Sequence, residues 1–309
     1  MKVLGIGNAI VDVLCKVDDE FLNKNSLIKS TMKLIDEKEF KHLISELKVE
    51  KTISGGSVAN TIVGLSQLGN DVGFIGKVKD DDLGKKYEDG LIKENVNFLY
   101  SKKNEPIPTG TCLILITPDS ERTMCTFLGI AGKVSDEDVS AIKVKESKIT
   151  LLEGYLWDEG EPKKAFDKAI NNSNKVAMSL SDVFCVERHK LQFLEMVKSR
   201  LDVTFCNEQE ITSLTDAKNF SDVISFCKSI KRLIVVTRGE KGSMAIYKND
   251  IFECPSKEDL DIKDLTGAGD LFAAGFLHGY INDLSLQDSL SLGTDMSSKI
   301  IQKIGARLN

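Results

Sequence analysis

The chain has 309 residues, of which 41% are hydrophobic and 28% are charged, and this composition is that of a folded globular protein rather than a disordered one. Its 41 Lys and Arg residues against 47 Asp and Glu give a net charge of -6, and no stretch interleaves basic with aromatic residues. Nucleic acid and anionic membranes are therefore poor partners.

The cysteines and the N-terminus indicate the compartment. Seven cysteines are dispersed through apolar stretches without the paired spacing of a zinc site or a small disulfide scaffold, so we interpret them as reduced core residues. No cleavable signal precedes the first strand pattern, and no apolar run approaches the roughly 18 residues that cross a bilayer. We therefore expect a cytoplasmic protein. The three histidines lack ligand spacing, and Trp157 is expected to pack in or beside the core.

The N-terminal part of the chain predicts a strand, a helix and a second strand. The sequence VLGIG, residues 3–7, has the apolar pattern of a buried strand. The stretch GGSVANTIVGLSQLG predicts a helix with Ser57 as its N-cap and Gly69 as its C-terminal stop. DVGFIGKV then predicts another strand of the same sheet.

Two segments, about 10–36 and 98–128, have β character and little helical pattern. We expect them to pair as a small accessory sheet, inserted as a lid into a single domain that spans residues 1–309. Because open sheet edges are usually covered, the lid also suggests a homodimer in which two lids pair.

From about residue 150, strand patterns alternate with amphipathic helices. KITLLEG, KVAMSL, VTFC and RLIVVT are short apolar runs, separated by helical stretches such as EPKKAFDKAINN and ERHKLQFLEMVKSR. This alternation is typical of a parallel sheet covered by helices on both faces, so the predicted fold class is α/β.

The stretch DLTGAGDLFAAGF, residues 264–276, carries the strongest chemical signal. Gly267, Ala268 and Gly269 form a turn at a helix start, where free backbone N–H groups and the helix dipole favour an anion. Asp270 follows in the first turn and is placed to accept a proton from a nucleophilic hydroxyl. Ordinary turn and cap chemistry produces the same pattern, so the motif alone does not decide.

Three further stretches have both a functional and a structural interpretation. GGSVAN, residues 55–60, is a second glycine-rich helix start. NEQE follows a strand, and its Asn207 and Glu210 either organise Mg²⁺ or form a helix capping box. VVTRGEKGS places polar residues after another strand, either at a ligand-binding edge or in a plain strand connection.

Taken in this order and at these spacings, the stretches resemble the ribokinase or PfkB family of carbohydrate and nucleoside kinases over nearly the whole chain. The motif D-x-T-G-A-G-D-x-F-x-A-G-F is the most specific element. GNAIVDVL and SERTMCTFLG resemble the adenosine-kinase-like members most. The resemblance implies a ribokinase-like fold, with a central mostly parallel sheet flanked by helices and a small β-sheet lid, and it implies use of ATP and Mg²⁺.

The resemblance also implies residue roles. The catalytic group would be the base Asp270 with the anion hole Gly267, Ala268 and Gly269. Substrate binding would fall to Asn8, Asp12, Gly56, Asn60 and Arg122. Nucleotide binding would involve Asn207, Thr237, Gly239, Gly242, Gly293 and Ser297. Asn207 and Glu210 would hold Mg²⁺ through water, and Asp264 resembles part of a monovalent-cation site, so potassium activation is one expectation.

The sequence departs from the family pattern at Leu265, where Thr or Ser is common, so we expect altered nucleotide affinity or cation dependence. The acceptor stays open between a ribonucleoside and a free sugar such as ribose or fructose. A non-catalytic nucleotide- or sugar-binding regulator on the same fold is the alternative from another class. A dinucleotide-dependent oxidoreductase does not fit, since Ile10 occupies the place of the third glycine, and a Walker A motif is absent.

Overall fold

The computed structural model describes residues 1–119 and 121–308, and a nine-stranded sheet is the main feature of these residues. Seven neighbouring strands of this sheet run parallel to one another, and the two strands at one edge are antiparallel. In spatial order the strands are β14 (Asp250–Cys254), β13 (Ser243–Tyr247), β12 (Leu233–Thr237), β11 (Val203–Asn207), β10 (Val176–Ser179), β9 (Ile149–Glu153), β1 (Val3–Ile6), β5 (Val72–Ile75) and β6 (Asn97–Phe98).

Helices cover both faces of this sheet, as the alternation of strand and helix patterns predicts. Every residue of β1, β5 and β9 is buried, which explains why these strands are continuous apolar runs. One face packs against α3 (Ser57–Gln67), α4 (Asp82–Lys93), α11 (Ala268–Ile281) and α12 (Leu286–Ile300). The other face packs against α5 (Ala141–Glu146), α6 (Glu161–Asn172), α7 (Val183–Arg188), α8 (Lys190–Glu195), α9 (Glu208–Thr215) and α10 (Phe220–Ile230).

A second, smaller sheet has five strands within the described residues. Their order is β3 (Met32–Leu34), β8 (Arg122–Phe127), β7 (Gly110–Ile116), β2 (Ile10–Lys16) and β4 (Val49–Ser54). The edge strand β4 lies outside the two segments in which the sequence indicated β structure. The first of those segments also contains one helix of 6 residues, α1 (Asp19–Lys24), between its two strands.

The two faces of the small sheet have different environments because successive side chains of a strand point to opposite sides. Val11, Val13 and Cys15 of β2 face α1 and α2 (Glu37–Glu46), where Leu22 and Leu43 are buried with them. The alternate residues, including Asp12 and Leu14, face the other way. Arg122 of β8 reaches from this second face to the start of α11, as described below.

The structure supports the sequence-based interpretation of several single residues. All seven cysteines are buried, and none of them forms a disulfide. Trp157 is 3% exposed and packs against the rings of His189 and Phe193, so it is a core residue. None of the helices formed by the described residues has the length and apolarity needed to cross a membrane.

Candidate active site

Polar residues gather at the carboxyl edge of the large sheet, where open α/β sheets bind ligands. Asn8 follows β1, Glu153 ends β9, Asn207 ends β11 and Thr237 ends β12. Two cavities lie along this edge, and Thr237, Leu265, Ala268 and Gly269 line both of them. Their volumes are about 390 Å³ and 340 Å³.

The helix α11 starts at the Gly-Ala-Gly turn and points its first turn into the larger cavity. Gly267 is the N-cap residue with φ +79°, a left-handed conformation that glycine adopts without a steric cost. A Cβ there would also lie 2.8 Å from Ala306. Gly267, Ala268, Gly269 and Asp270 all line the cavity, so the amide end of the helix and a carboxylate meet the same space.

The carboxylate of Asp270 is held by two donors from α3. Ser57 Oγ donates to Oδ1 at 2.6 Å, and Asn60 Nδ2 donates to Oδ2 at 3.0 Å. Thr61 Oγ1 donates to the backbone oxygen of Asp270 at 3.0 Å. The two glycine-rich helix starts that the sequence singled out therefore meet at one carboxylate.

The electrostatics of Asp270 suit a proton acceptor that works near neutral pH. Burial raises the pKa of Asp270 to about 6, while the hydrogen bonds from Ser57 and Asn60 and the charge of Arg307 act in the opposite direction. The group is thus ionised at pH 7 and basic enough to bind a proton.

Ser57 is not the N-cap of α3, so that sequence-based prediction was wrong by one residue. Gly56 occupies the cap position with φ +98°, and a Cβ there would lie 2.3 Å from the carbonyl oxygen of Asn8. Ser57 is the first helical residue, and its hydroxyl turns to Asp270 instead. Gly69, with φ +80°, follows the helix as predicted.

Glu153, at the end of β9, accepts a hydrogen bond from the first turn of α3. Its carboxylate accepts hydrogen bonds from the backbone N–H of Val58 at 2.9 Å and of Asn8 at 3.2 Å. Glu153 is 1% exposed, and burial raises its pKa to about 7. Sequence analysis missed this residue, although an acid at the end of the apolar run KITLLEG was a usable signal.

Asn8 and Asp12 lie on the side of the site that faces the small sheet. Asn8 is 3% exposed, and its Oδ1 has no hydrogen-bond partner among the described residues. The carboxylate of Asp12 lies against Gly55, where a Cβ would meet Oδ2 at 2.4 Å. Burial raises the pKa of Asp12 to about 7, with Arg307 lowering it and Asp270 raising it. The unpartnered oxygen of Asn8 and the carboxylate of Asp12 can accept hydrogen bonds from a polyhydroxyl ligand.

Asn207 and Glu210 form the capping box that the sequence offered as one of two interpretations. Glu210 accepts from Asn207 N at 3.0 Å and from Nδ2 at 2.7 Å, and Asn207 Oδ1 accepts from Glu210 N at 2.8 Å. Both residues also line the larger cavity. Burial raises the pKa of Glu210 to about 7. The remaining lone pairs fit a Mg²⁺ ion held through water.

Asn207 and Glu210 are the residues that would hold Mg²⁺ through water. The described residues contain no cluster of three or more His, Cys, Asp or Glu side chains that could hold a metal.

The smaller cavity holds most of the residues that the resemblance linked to nucleotide binding. Gly239, Gly242 and Ser297 line it together with Thr237. Gly293 does not line it: its Cα lies against Phe272, where a Cβ would be 2.9 Å from the backbone oxygen, so this glycine serves the packing of α11 on α12. Leu265 is 67% exposed and borders both cavities.

Arg122 and Asp264 connect the small sheet to the turn before α11. Arg122 Nη1 lies 2.6 Å from Asp264 Oδ2, which also accepts from Gly305 N at 2.7 Å. Asp264 Oδ1 accepts from the N–H and the hydroxyl of Thr266. Burial alone would raise the pKa of Asp264, but these hydrogen bonds outweigh burial and lower it. Both carboxylate oxygens of Asp264 thus already have hydrogen-bond partners within the protein. Potassium binding at Asp264 stays a prediction.

Arg307, near the C-terminus, is a second residue that sequence analysis missed. Its Nε donates to Asn60 Oδ1 at 3.2 Å, and its buried Nη2 has no partner among the described residues. Nothing in the local sequence KIGARL marks this arginine. Its place in the site depends on how the chain folds after α12.

The large parallel sheet, the flanking helices and the smaller sheet together have the ribokinase-like kinase fold. A crystal structure of adenosine kinase from Sinorhizobium meliloti superimposes with a TM-score of 0.90 at 37% identity, covering 99% of this chain and 95% of that chain.

Residues 23–309 match the family described as pfkB family carbohydrate kinase, and the chain belongs to this family. Its relatives include adenosine kinase 2 of Arabidopsis thaliana, 25% identical over 98% of this chain and 94% of the relative. They also include 5-dehydro-2-deoxygluconokinase of Listeria monocytogenes, 25% identical over 86% of each chain. The protein is therefore a phosphotransferase of the sugar and nucleoside kinase class, and the resemblance seen in the sequence is confirmed.

Proposed function

We propose that this protein transfers the γ-phosphoryl group of ATP to a hydroxyl of a ribonucleoside, with adenosine as the first candidate. ATP would lie along the carboxyl edge of the large sheet, with its base in the smaller cavity and its phosphates in the larger one. The acceptor would lie between Asp270 and the second face of the small sheet, which would act as a lid over it.

The observation that carries the choice of acceptor is the chemistry of that second face. Asp12 is paired across the sheet with Cys112, while the next row along the strands contains Leu14, Ile114 and Met124. A carboxylate therefore stands beside an apolar strip. A ribonucleoside has the matching pair of surfaces, because vicinal hydroxyls adjoin a flat base, whereas a free sugar is polar on every side.

The proposed chemistry uses few protein groups. Asp270 accepts the proton of the acceptor hydroxyl while the hydroxyl oxygen attacks the γ-phosphorus of ATP, and ADP leaves. The amide end of α11 at Gly267 to Gly269 stabilises the charge that develops on the transferring group. Asn8 and Asp12 orient the sugar hydroxyls, and Asn207, Glu210, Thr237, Gly239, Gly242 and Ser297 bind or order the nucleotide. A bound Mg²⁺ ion would neutralise phosphate charge.

A free sugar or sugar acid is the second candidate acceptor. The 5-dehydro-2-deoxygluconokinase relative favours it, since the name of that protein describes an acceptor without a base. Asn8 and Asp12 suit its hydroxyls equally well.

The test is ADP release from MgATP by the purified protein with adenosine, other nucleosides, ribose, fructose and 5-dehydro-2-deoxygluconate. We expect stimulation by adenosine and, more weakly, by other purine nucleosides. Stimulation by a free sugar or sugar acid alone would refute the nucleoside proposal. Parallel assays in potassium and sodium buffers test the monovalent-cation prediction.

A further inference from the structure

The C-terminal tail, residues 301–308, lies against the turn that starts α11. Lys263 N and Asp264 N both donate to the carbonyl oxygen of Ile301, at 2.8 Å and 3.2 Å. Gly305 N donates to Asp264 Oδ2 at 2.7 Å, and Ala306 packs on Gly267. Contacts at residues 301, 305 and 306 thus hold the tail against the turn that precedes Asp270.

Arg307 extends from this fixed tail into the site. Nε donates to Asn60 Oδ1, and the amide nitrogen of the same Asn60 side chain donates to Asp270 Oδ2. Arg307 and Asp270 together fix which way the Asn60 amide faces, because a flipped amide would present its oxygen to the carboxylate and its NH₂ to the guanidinium.

We infer that the C-terminal tail is a working part of the active site, in which Arg307 is a positioning residue that orients Asn60 and, through it, the carboxylate of Asp270. This role deepens the proposed function, because it rests on Asp270 as the group that receives the proton of the acceptor.

The charges around the site give Arg307 a second effect. The groups near Asp270 and Arg307 are Asp12 on β2, Tyr87 and Glu94 on or beside α4, Glu153 on β9 and Tyr155 after it. Asp12, Glu94 and Glu153 are carboxylic acids, and Arg307 is the cation that acts on both Asp12 and Asp270. In a buried site this charge favours the ionised form of both acids.

The buried Nη2 of Arg307 has no partner among the described residues. A buried donor without a partner costs free energy, so its retention indicates that a ligand satisfies it. The acceptor, whose hydroxyl must lie beside Asp270, is the ligand that comes within reach. Arg307 would then also contribute to acceptor affinity.

The first experiment follows the titration of Asp270 in the free protein by carboxyl ¹³C NMR, with the resonance assigned from the Asp270→Asn variant. We expect a midpoint near 6 in the native protein and a higher midpoint in Arg307→Gln. Lys299→Gln, which removes an exposed charge from α12, is the matched control and should leave the midpoint unchanged. An unchanged midpoint in Arg307→Gln overturns the inference.

The second experiment measures steady-state kinetics with whichever acceptor the native protein phosphorylates. Arg307→Gln should lower kcat by about 10- to 100-fold, raise the KM of the acceptor and leave the KM of ATP unchanged. The acid limb of the pH profile should move to higher pH. Equal increases in the KM values of the acceptor and of ATP, or a kcat equal to that of the native protein, would overturn the inference.

Arg307→Lys keeps the inference testable if Arg307→Gln fails to fold. Lysine retains the charge but not the planar Nε–H that faces Asn60, so we expect a nearly native Asp270 midpoint together with a reduced kcat. If no acceptor is phosphorylated by the native protein, the proposed function fails, while the NMR titration still decides the role of Arg307.

Discussion

Arg122 on the small sheet and Asp264 before α11 form an ion pair of 2.6 Å that joins the small sheet to the turn before this helix. The side chain of Asp264 is 8% exposed and that of Arg122 is 18% exposed. Because the same carboxylate accepts a hydrogen bond from Gly305 N, this pair links the small sheet, the turn before α11 and the C-terminal tail.

A double-mutant cycle on this pair should show energetic coupling. Arg122→Gln, Asp264→Asn and the double variant are compared by urea unfolding, and we expect a coupling free energy of about 1 kcal/mol, since the pair is shielded from solvent. The exposed pair Lys33 and Glu39 is the matched control and should give a value near zero. Additive effects at Arg122 and Asp264 would show that other contacts hold the small sheet to the turn before α11.

Asp270→Asn should lower kcat by roughly 10² to 10⁴ without unfolding the protein, because asparagine cannot receive the acceptor proton. In the native enzyme, kcat/KM should fall as the pH drops below about 6, where Asp270 becomes protonated.

The control for Asp270→Asn is Asp288→Asn, which changes an exposed aspartate in the first turn of the neighbouring helix α12. It should leave turnover unchanged. Near-native turnover of Asp270→Asn, or an acid limb that persists in that variant with the same midpoint, would remove Asp270 from the reaction.

Gly56→Ala should be strongly destabilising, by more than the cost of a left-handed backbone alone. A Cβ at Gly56 would lie 2.3 Å from the Asn8 carbonyl oxygen, whereas Gly69, also at positive φ, has open space around it. Gly69→Ala therefore measures the backbone cost, about 1–2 kcal/mol. Thermal unfolding of both variants makes the comparison, and equal losses would mean that the contact with Asn8 adjusts freely.

Asp12→Asn should change how stability depends on pH. Burial raises the pKa of Asp12 from 3.8 to about 7 in the folded protein, so the native protein loses stability as the pH rises through this interval. Asparagine does not ionise, and the free energy of unfolding of the variant relative to native should therefore increase between pH 4 and pH 7, by at most about 1.4 kcal/mol per pH unit. Urea unfolding across this range would contradict the prediction if the difference were flat.

The sequence alone determined the fold class and the core of the candidate site. Strands β1, β9, β10, β11 and β12 were visible because buried parallel strands are short apolar runs between amphipathic helices. The position of Asp270 after a glycine turn was visible because a helix start is encoded by a few neighbouring residues.

Only the tertiary structure decided which groups surround that carboxylate. Ser57 and Asp270 are 213 residues apart in the chain, and Arg307 reaches Asn60 across 247 residues. Glu153 accepts a hydrogen bond from the N–H of Val58, 95 residues before it, and Gly56 holds the cap position predicted for Ser57. Local patterns specify how a segment folds, whereas these contacts depend on how distant segments pack, so no local pattern predicted them.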